Sequence, residues 1–168
     1  MTATFSAETS RAWADIDLGA LAANARAFEA LVKAPLLPVV KANAYGLGAA
    51  AVVGALEPLH PWGYGVGTVE EGEAIRALGV SRPILVLTPM LPALAPRHLA
   101  SGLRPTIGDL DALVAWLALG DAPFHLEIDT GMRRAGIPWN DADLVPHLAG
   151  RLATAAGWEG AYCQFHSA

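Results

Sequence analysis

Short apolar runs, each paired with a stretch of helical spacing, recur along this chain at intervals of roughly 20 to 40 residues, and this alternation restricts the fold more than any other feature. The runs are residues 36–42, 62–66, 83–87, 103–107, 125–128 and 160–165. They are too short for helices and rich enough in branched side chains to read as buried strands. The spacing predicts helices over 18–32, 49–56, 69–78, 92–100, 109–119 and 141–156. In the first, Leu21, Ala25, Phe28 and Val32 fall three or four apart on one face. Strands alternating with helices imply a parallel sheet with right-handed crossovers. A further run, 13–17, alternates apolar and acidic residues like a half-exposed strand.

Two architectures satisfy this pattern, an open doubly wound sheet and a (β/α)₈ barrel. A barrel takes about 250 residues, so 168 residues accommodate about six of its eight strands. Either way, residues 1–168 read as one domain without repeat or linker. At 54% hydrophobic and 16% charged, the composition fits strands buried on both faces. The net charge of -5, with no basic cluster, gives no footprint for nucleic acid or an anionic membrane. A small polar partner is expected instead. The single cysteine, Cys163, excludes an internal disulfide and is compatible with a reducing compartment. No apolar run reaches the roughly 20 residues of a membrane span, and residues 1–10 do not read as a secretory signal. A soluble, cytoplasmic protein is the expectation.

Among the motifs, the glycine cluster Gly63-Tyr64-Gly65-Val66-Gly67-Thr68 matches neither nucleotide-binding fingerprint, and close backbone packing in a sheet wall explains it better. The five histidines are scattered without ligand spacing, so no metal site is expected. A Gly-x-Ser-x-Gly elbow is absent. Lys41 stands apart. It is placed where an apolar run gives way to a glycine-rich turn, at the strand end where barrel and open-sheet active sites form. A neutral amine there is a nucleophile toward an aldehyde. The alternative is a lysine whose stem packs on apolar surface while its head reaches water, and strand context leaves the two evenly matched.

Val40-Lys41-Ala42-Asn43-Ala44-Tyr45-Gly46-Leu47-Gly48 resembles the pyridoxal-phosphate attachment motif of bacterial alanine racemases, a family with an N-terminal (β/α)₈ barrel. Asp129-Thr130-Gly131-Met132-Arg133-Arg134-Ala135-Gly136 is similar to that family's Asp-Thr-Gly-Met-x-Arg-x-Gly segment. Residues 13–21 and 160–168 carry supporting similarity in the family's order. The resemblance implies an incomplete barrel whose N-terminal strand belongs with a β-domain absent from these residues. It implies that Lys41 is the Schiff-base lysine and one of two catalytic bases, and that Tyr45 binds the cofactor phosphate. Arg134 is implied near the cofactor's phenolic oxygen and the substrate carboxylate, which its planar fork suits. Met132 is implied in substrate contact, and Arg133 reads as a solvated charge.

Three departures accompany the resemblance. Where the family often has a carbamylated lysine that orients the arginine, this chain has Glu127, whose carboxylate supplies the negative charge directly. Where a family histidine packs on the cofactor ring, this chain has Gln164, with His166 two positions on and facing the same way. The family's second base, a tyrosine from the partner subunit's C-terminal domain, has no counterpart here. The implied function is interconversion of L-alanine and D-alanine for peptidoglycan precursors, by a cytoplasmic homodimer in the full-length protein. The alternatives are a racemase of another amino acid and a non-catalytic barrel that only holds pyridoxal phosphate.

Overall fold

The structure, a computed structural model, describes residues 12–167. Its frame is a wholly parallel sheet built from β1 (Tyr64–Val66), β2 (Ile84–Pro89), β3 (Arg104–Ile107), β4 (Phe124–Asp129), β5 (Ile137–Pro138) and β6 (Trp158–Tyr162). Strands β1 to β4 pair in chain order, and β4 pairs further with both β5 and β6. The helices are α1 (Leu18–Val32), α2 (Lys41–Tyr45), α3 (Ala49–Leu56), α4 (Val69–Ala77), α5 (Ala95–Ala100), α6 (Leu110–Leu117) and α7 (Leu144–Leu152).

Side chains start these helices where the sequence offers oxygen acceptors. Asp17 accepts from Ala20 N at 2.8 Å, Thr68 from Glu71 N at 3.3 Å, and Asp109 from Ala112 N at 2.7 Å. Gly79, at φ +88°, follows α4 in the left-handed region that ends many helices. Residues 92–100 begin as a 3₁₀ turn, Pro92–Leu94, before α5.

Two expected strands differ. Residues 13–17 form none, and Asp17 serves as the cap of α1 instead. Residues 36–42 make only a single bridge, Val39 to Gly65. Their parallel pairing survives as three backbone bonds, Trp62 N to Leu36 O, Gly65 N to Pro38 O and Val40 N to Gly65 O. Pro35 and Pro38 have no N–H to give, and the chain turns away at Lys41.

The sheet is strongly curved. The Tyr162 hydroxyl on β6 meets Thr106 Oγ1 on β3 at 2.9 Å and donates to Leu87 O on β2 at 3.3 Å. In a flat sheet β6 and β2 would stand three strand spacings, roughly 14 Å, apart, too far for one side chain to cross. The described strands leave β1 and β6 unjoined, so the curve does not close. Two apolar cores fill it. The first gathers Val40, Val52, Tyr64, Val66, Ile75 and Ile84, and the second Met90, Ile107, Leu113, Trp116, Phe124 and Leu126. Among the described residues, the buried polar ones, His98, Thr106 and Glu127, come from α5 onward.

Candidate active site

Lys41 leaves the sheet through a backbone conformation that L-residues rarely hold. Ala42, Asn43, Ala44 and Tyr45 have φ between 50° and 55°, so most of α2 is a left-handed turn. Each non-glycine residue there costs roughly 1–2 kcal/mol, and the surroundings must over-determine the turn. They do so from several sides. Ala44 is 3% exposed within the first core. Backbone bonds run from Ala44 N to Val40 O, Gly46 N to Ala42 O and Gly48 N to Asn43 O. Asn43 Oδ1 accepts from Ala49 N at 2.8 Å, tying the turn to the first residue of α3. Glu71 of α4 accepts from Ala42 N and from Gly67 N, each at 2.7 Å.

The turn delivers Lys41 into a pocket of about 340 Å³ at the C-terminal ends of the strands, shared with Gly67, Thr88, Glu127, Arg134 and Ala135. This is the end of a parallel α/β sheet where active sites form. Glu127, on β4, is 4% exposed, and its Oε2 has no hydrogen-bond partner. Burial pushes the Glu127 carboxyl above the ordinary carboxylate range, Arg134 opposes that, and Asp129 adds to it. Among the described residues, Glu127 and Arg134 make no ion pair within 4 Å.

The loop after β4 winds around Asp129. Asp129 Oδ1 accepts from Gly131 N at 2.9 Å and Arg133 N at 3.0 Å. Those two backbone bonds are the main reason the Asp129 carboxyl sits below its usual range. Arg133 takes φ 55°; both arginines are exposed, and Arg134 also lines the pocket.

Other candidates lie apart. Tyr45 is 64% exposed, with its ring centroid 6.0 Å from Lys41 Nζ, and it borders a separate apolar cleft beside α1. Met132 is partly buried and Gln164 exposed, and neither lines the Lys41 pocket. His166 is exposed and contacts Ser167 Oγ at 2.7 Å. The glycine cluster splits in two. A Cβ on Gly63 would lie 2.3 Å from Pro83 O, which is wall packing, whereas Gly67 borders the site.

Sequence reasoning missed two residues that shape the surroundings of the pocket. Glu71 was hidden because the helix dipole already accounts for acidic residues in the first turn of α4. The Thr68-x-x-Glu71 spacing of a capping box was the available signal. Tyr162 gave no signal, since its partners come from distant strands. Burial, with Glu127 adding, pushes its hydroxyl up to about 12.

The donor set fits pyridoxal phosphate. Lys41 offers an amine for an aldehyde, Arg134 a cation for a carboxylate or phenolate, and the unpartnered Glu127 Oε2 an acceptor waiting for a donor. Among the described residues, no group of three or more His, Cys, Asp or Glu could hold a metal ion. No helix among them is long and apolar enough to cross a membrane.

Comparison with known proteins carries the same direction. The alanine racemase of Symbiobacterium thermophilum is 44% identical over 132 residues, covering 74% of this chain and 35% of its own length. The alanine racemase of Deinococcus radiodurans is 38% identical over 163 residues, covering 94% of this chain and 44% of its own. The solved structure of alanine racemase from Clostridium difficile superposes with a TM-score of 0.82 at 26% identity, over 95% of this chain and 46% of that one. This chain therefore spans less than half the length of each protein. The likeness decides between the two architectures, and the sheet is an incomplete α/β barrel. The family model for "Alanine racemase, N-terminal domain" matches residues 16–168, and the chain belongs to that family.

Proposed function

We propose that this chain is the lysine-bearing barrel portion of a pyridoxal-phosphate-dependent alanine racemase. The observation that supports it most is the convergence of Lys41, Glu127 and Arg134 on one pocket, with Lys41 on a turn locked from several sides. Lys41 Nζ holds the cofactor through its aldehyde carbon. A free Lys41 amine would be placed to take the substrate's Cα proton from its own face. Arg134 binds the substrate carboxylate, and Glu127 orients Arg134. On the family resemblance alone, Tyr45 would take the phosphate, Met132 would contact substrate and Gln164 would pack beside the ring, although none of the three lines the Lys41 pocket. What bound pyridoxal phosphate supplies is an electron sink for the negative charge at Cα.

Racemisation also needs a proton from the opposite face, and we place that second base outside these 168 residues. Among the described residues, Tyr64 OH donates to Val53 O, Tyr162 OH is engaged by Thr106 and Leu87, and Tyr45 borders the other cleft. This favours a second reading for the chain by itself, a barrel that captures the cofactor without racemising. In the full-length protein we propose a cytoplasmic homodimer supplying D-alanine for peptidoglycan.

Chiral chromatography of L-alanine incubated with pyridoxal phosphate and protein separates the readings. The chain alone is expected to give little D-alanine, and the full-length protein is expected to racemise. A full-length protein that racemises only another amino acid would overturn the substrate assignment. Unchanged activity of Glu127→Gln would overturn the orienting role of Glu127.

A further inference from the structure

We propose that Glu71 is the positioning residue for Lys41, a carboxylate that fixes the reactive lysine by holding two backbone N–H groups from different elements. The inference rests on the reading of Lys41 as the cofactor-binding lysine. In a capping box, the N-cap threonine takes the N–H of the glutamate and the glutamate returns to the N–H of the threonine. Half of this box is present, since Thr68 Oγ1 accepts from Glu71 N. The other half is redirected. The Glu71 carboxylate takes Gly67 N with Oε2 and, 29 residues away in sequence, Ala42 N with Oε1. A helix cap needs neither bond to Ala42 nor to Gly67, and both flank the Lys41 side chain.

The packing is equally specific. A Cβ on Gly67 would lie 3.1 Å from Glu71 Oε2 and 3.6 Å from Lys41 Cβ, so carboxylate, glycine and lysine close on one another. Both donors arrive at 2.7 Å, the short distance of a bond to a charged acceptor. Only a glutamate serves this geometry. Glutamine has one acceptor oxygen and would aim its NH₂ at the second N–H, and aspartate is one methylene too short. Ala42 is also the first residue of the left-handed turn, so the bond to its N–H holds the chain where its handedness changes.

The chain supplies its own control, because it has two lysines, Lys41 and the exposed Lys33 at the end of α1. With pyridoxal phosphate and borohydride, the lysine nitrogen attacks the aldehyde carbon, water leaves, and hydride from borohydride saturates the C=N bond. The product is a stable secondary amine that peptide mapping locates. In the native protein, Lys41 is expected to be trapped well ahead of Lys33. In Glu71→Gln, the Lys41-to-Lys33 ratio is expected to fall about tenfold or more, an effect that general destabilisation would not direct at one lysine.

A Glu71→Gln protein that melts cooperatively and keeps the native ratio overturns the proposal. If that variant does not fold, amide proton shifts of the native protein decide. The Ala42 and Gly67 amide protons are both expected well downfield of ordinary backbone amides, as donors in short bonds to one carboxylate, and ordinary shifts at either position overturn the assignment. Failure of native Lys41 to be trapped ahead of Lys33 instead overturns the underlying reading of the lysine.

Discussion

The turn that carries Lys41 and the loop that carries Arg134 open on the same pocket, but they are held in opposite ways. Three neighbours fix the lysine turn: Glu71 on α4, the first N–H of α3 through Asn43, and the core that buries Ala44. The arginine loop is tied mainly to itself, through one Asp129 oxygen and two of the loop's own N–H groups. A group that must meet a single carbon at bonding distance needs a fixed origin. A guanidinium reaching for a carboxylate tolerates a looser one. The cores beneath them differ as well, since the second has the buried His98 ring edge-on against its Trp116.

The largest effect is expected from the fixed side. Lys41→Ala should remove all visible absorbance that survives dialysis after incubation with pyridoxal phosphate. Retained absorbance would mean that the locked turn serves no covalent purpose.

The next concerns the other core. Burial, assisted by Arg97 and opposed by Glu73, pushes His98 down to about 4 from its ordinary 6.5. The unfolded chain therefore binds this proton first as the pH falls. The stabilisation from neutral His98 is intact above 6.5 and is lost between 6.5 and 4, roughly 3 kcal/mol in total. Chemical denaturation across that range should show the loss, and His98→Phe, which keeps an aromatic edge against Trp116, should flatten it. Hydrogen exchange at pH 5 should rise in α5 and α6 before β1 and β2. The reverse order would erase the contrast between the cores.

Smaller changes sharpen the contrast between the two loops. Asn43→Ala removes the acceptor for Ala49 N and puts alanine at a left-handed position, so about 1–2 kcal/mol should be lost. That corresponds to a fall of several degrees in melting temperature. Asp129→Ala should barely alter melting but should raise tryptic cleavage after Arg133 and Arg134 severalfold, as expected of a loop held by its own backbone. Equal sensitivity of global stability to both substitutions would show that the loops are held alike.

Much of this was legible in the sequence. Alternating apolar runs and helical spacings locate five of the six sheet strands expected, and Asp109 marks the start of α6. The run at 36–42 misled because periodicity registers Val39 and Val40 as strand but cannot register a left-handed turn made of alanines. Strand β5 is two residues long and leaves no pattern. At the site, Lys41 and Arg134 were legible through motifs. Glu71 was not, because the helix dipole already explains an acidic residue in the first turn of α4, and its capping-box spacing with Thr68 gives no hint of the bond to Ala42. The burial of Glu127 and the reach of Tyr162 across the curved sheet come only from the packing of distant strands.

The central claim is that this fold sets one particular lysine against the cofactor's aldehyde, and the most direct measurement is the map of that bond. The 168-residue chain, reduced with borohydride in the presence of one equivalent of pyridoxal phosphate, should carry the label on the peptide containing Lys41 and essentially none on the peptide containing Lys33. A label divided evenly between the two, or confined to Lys33, would contradict the account.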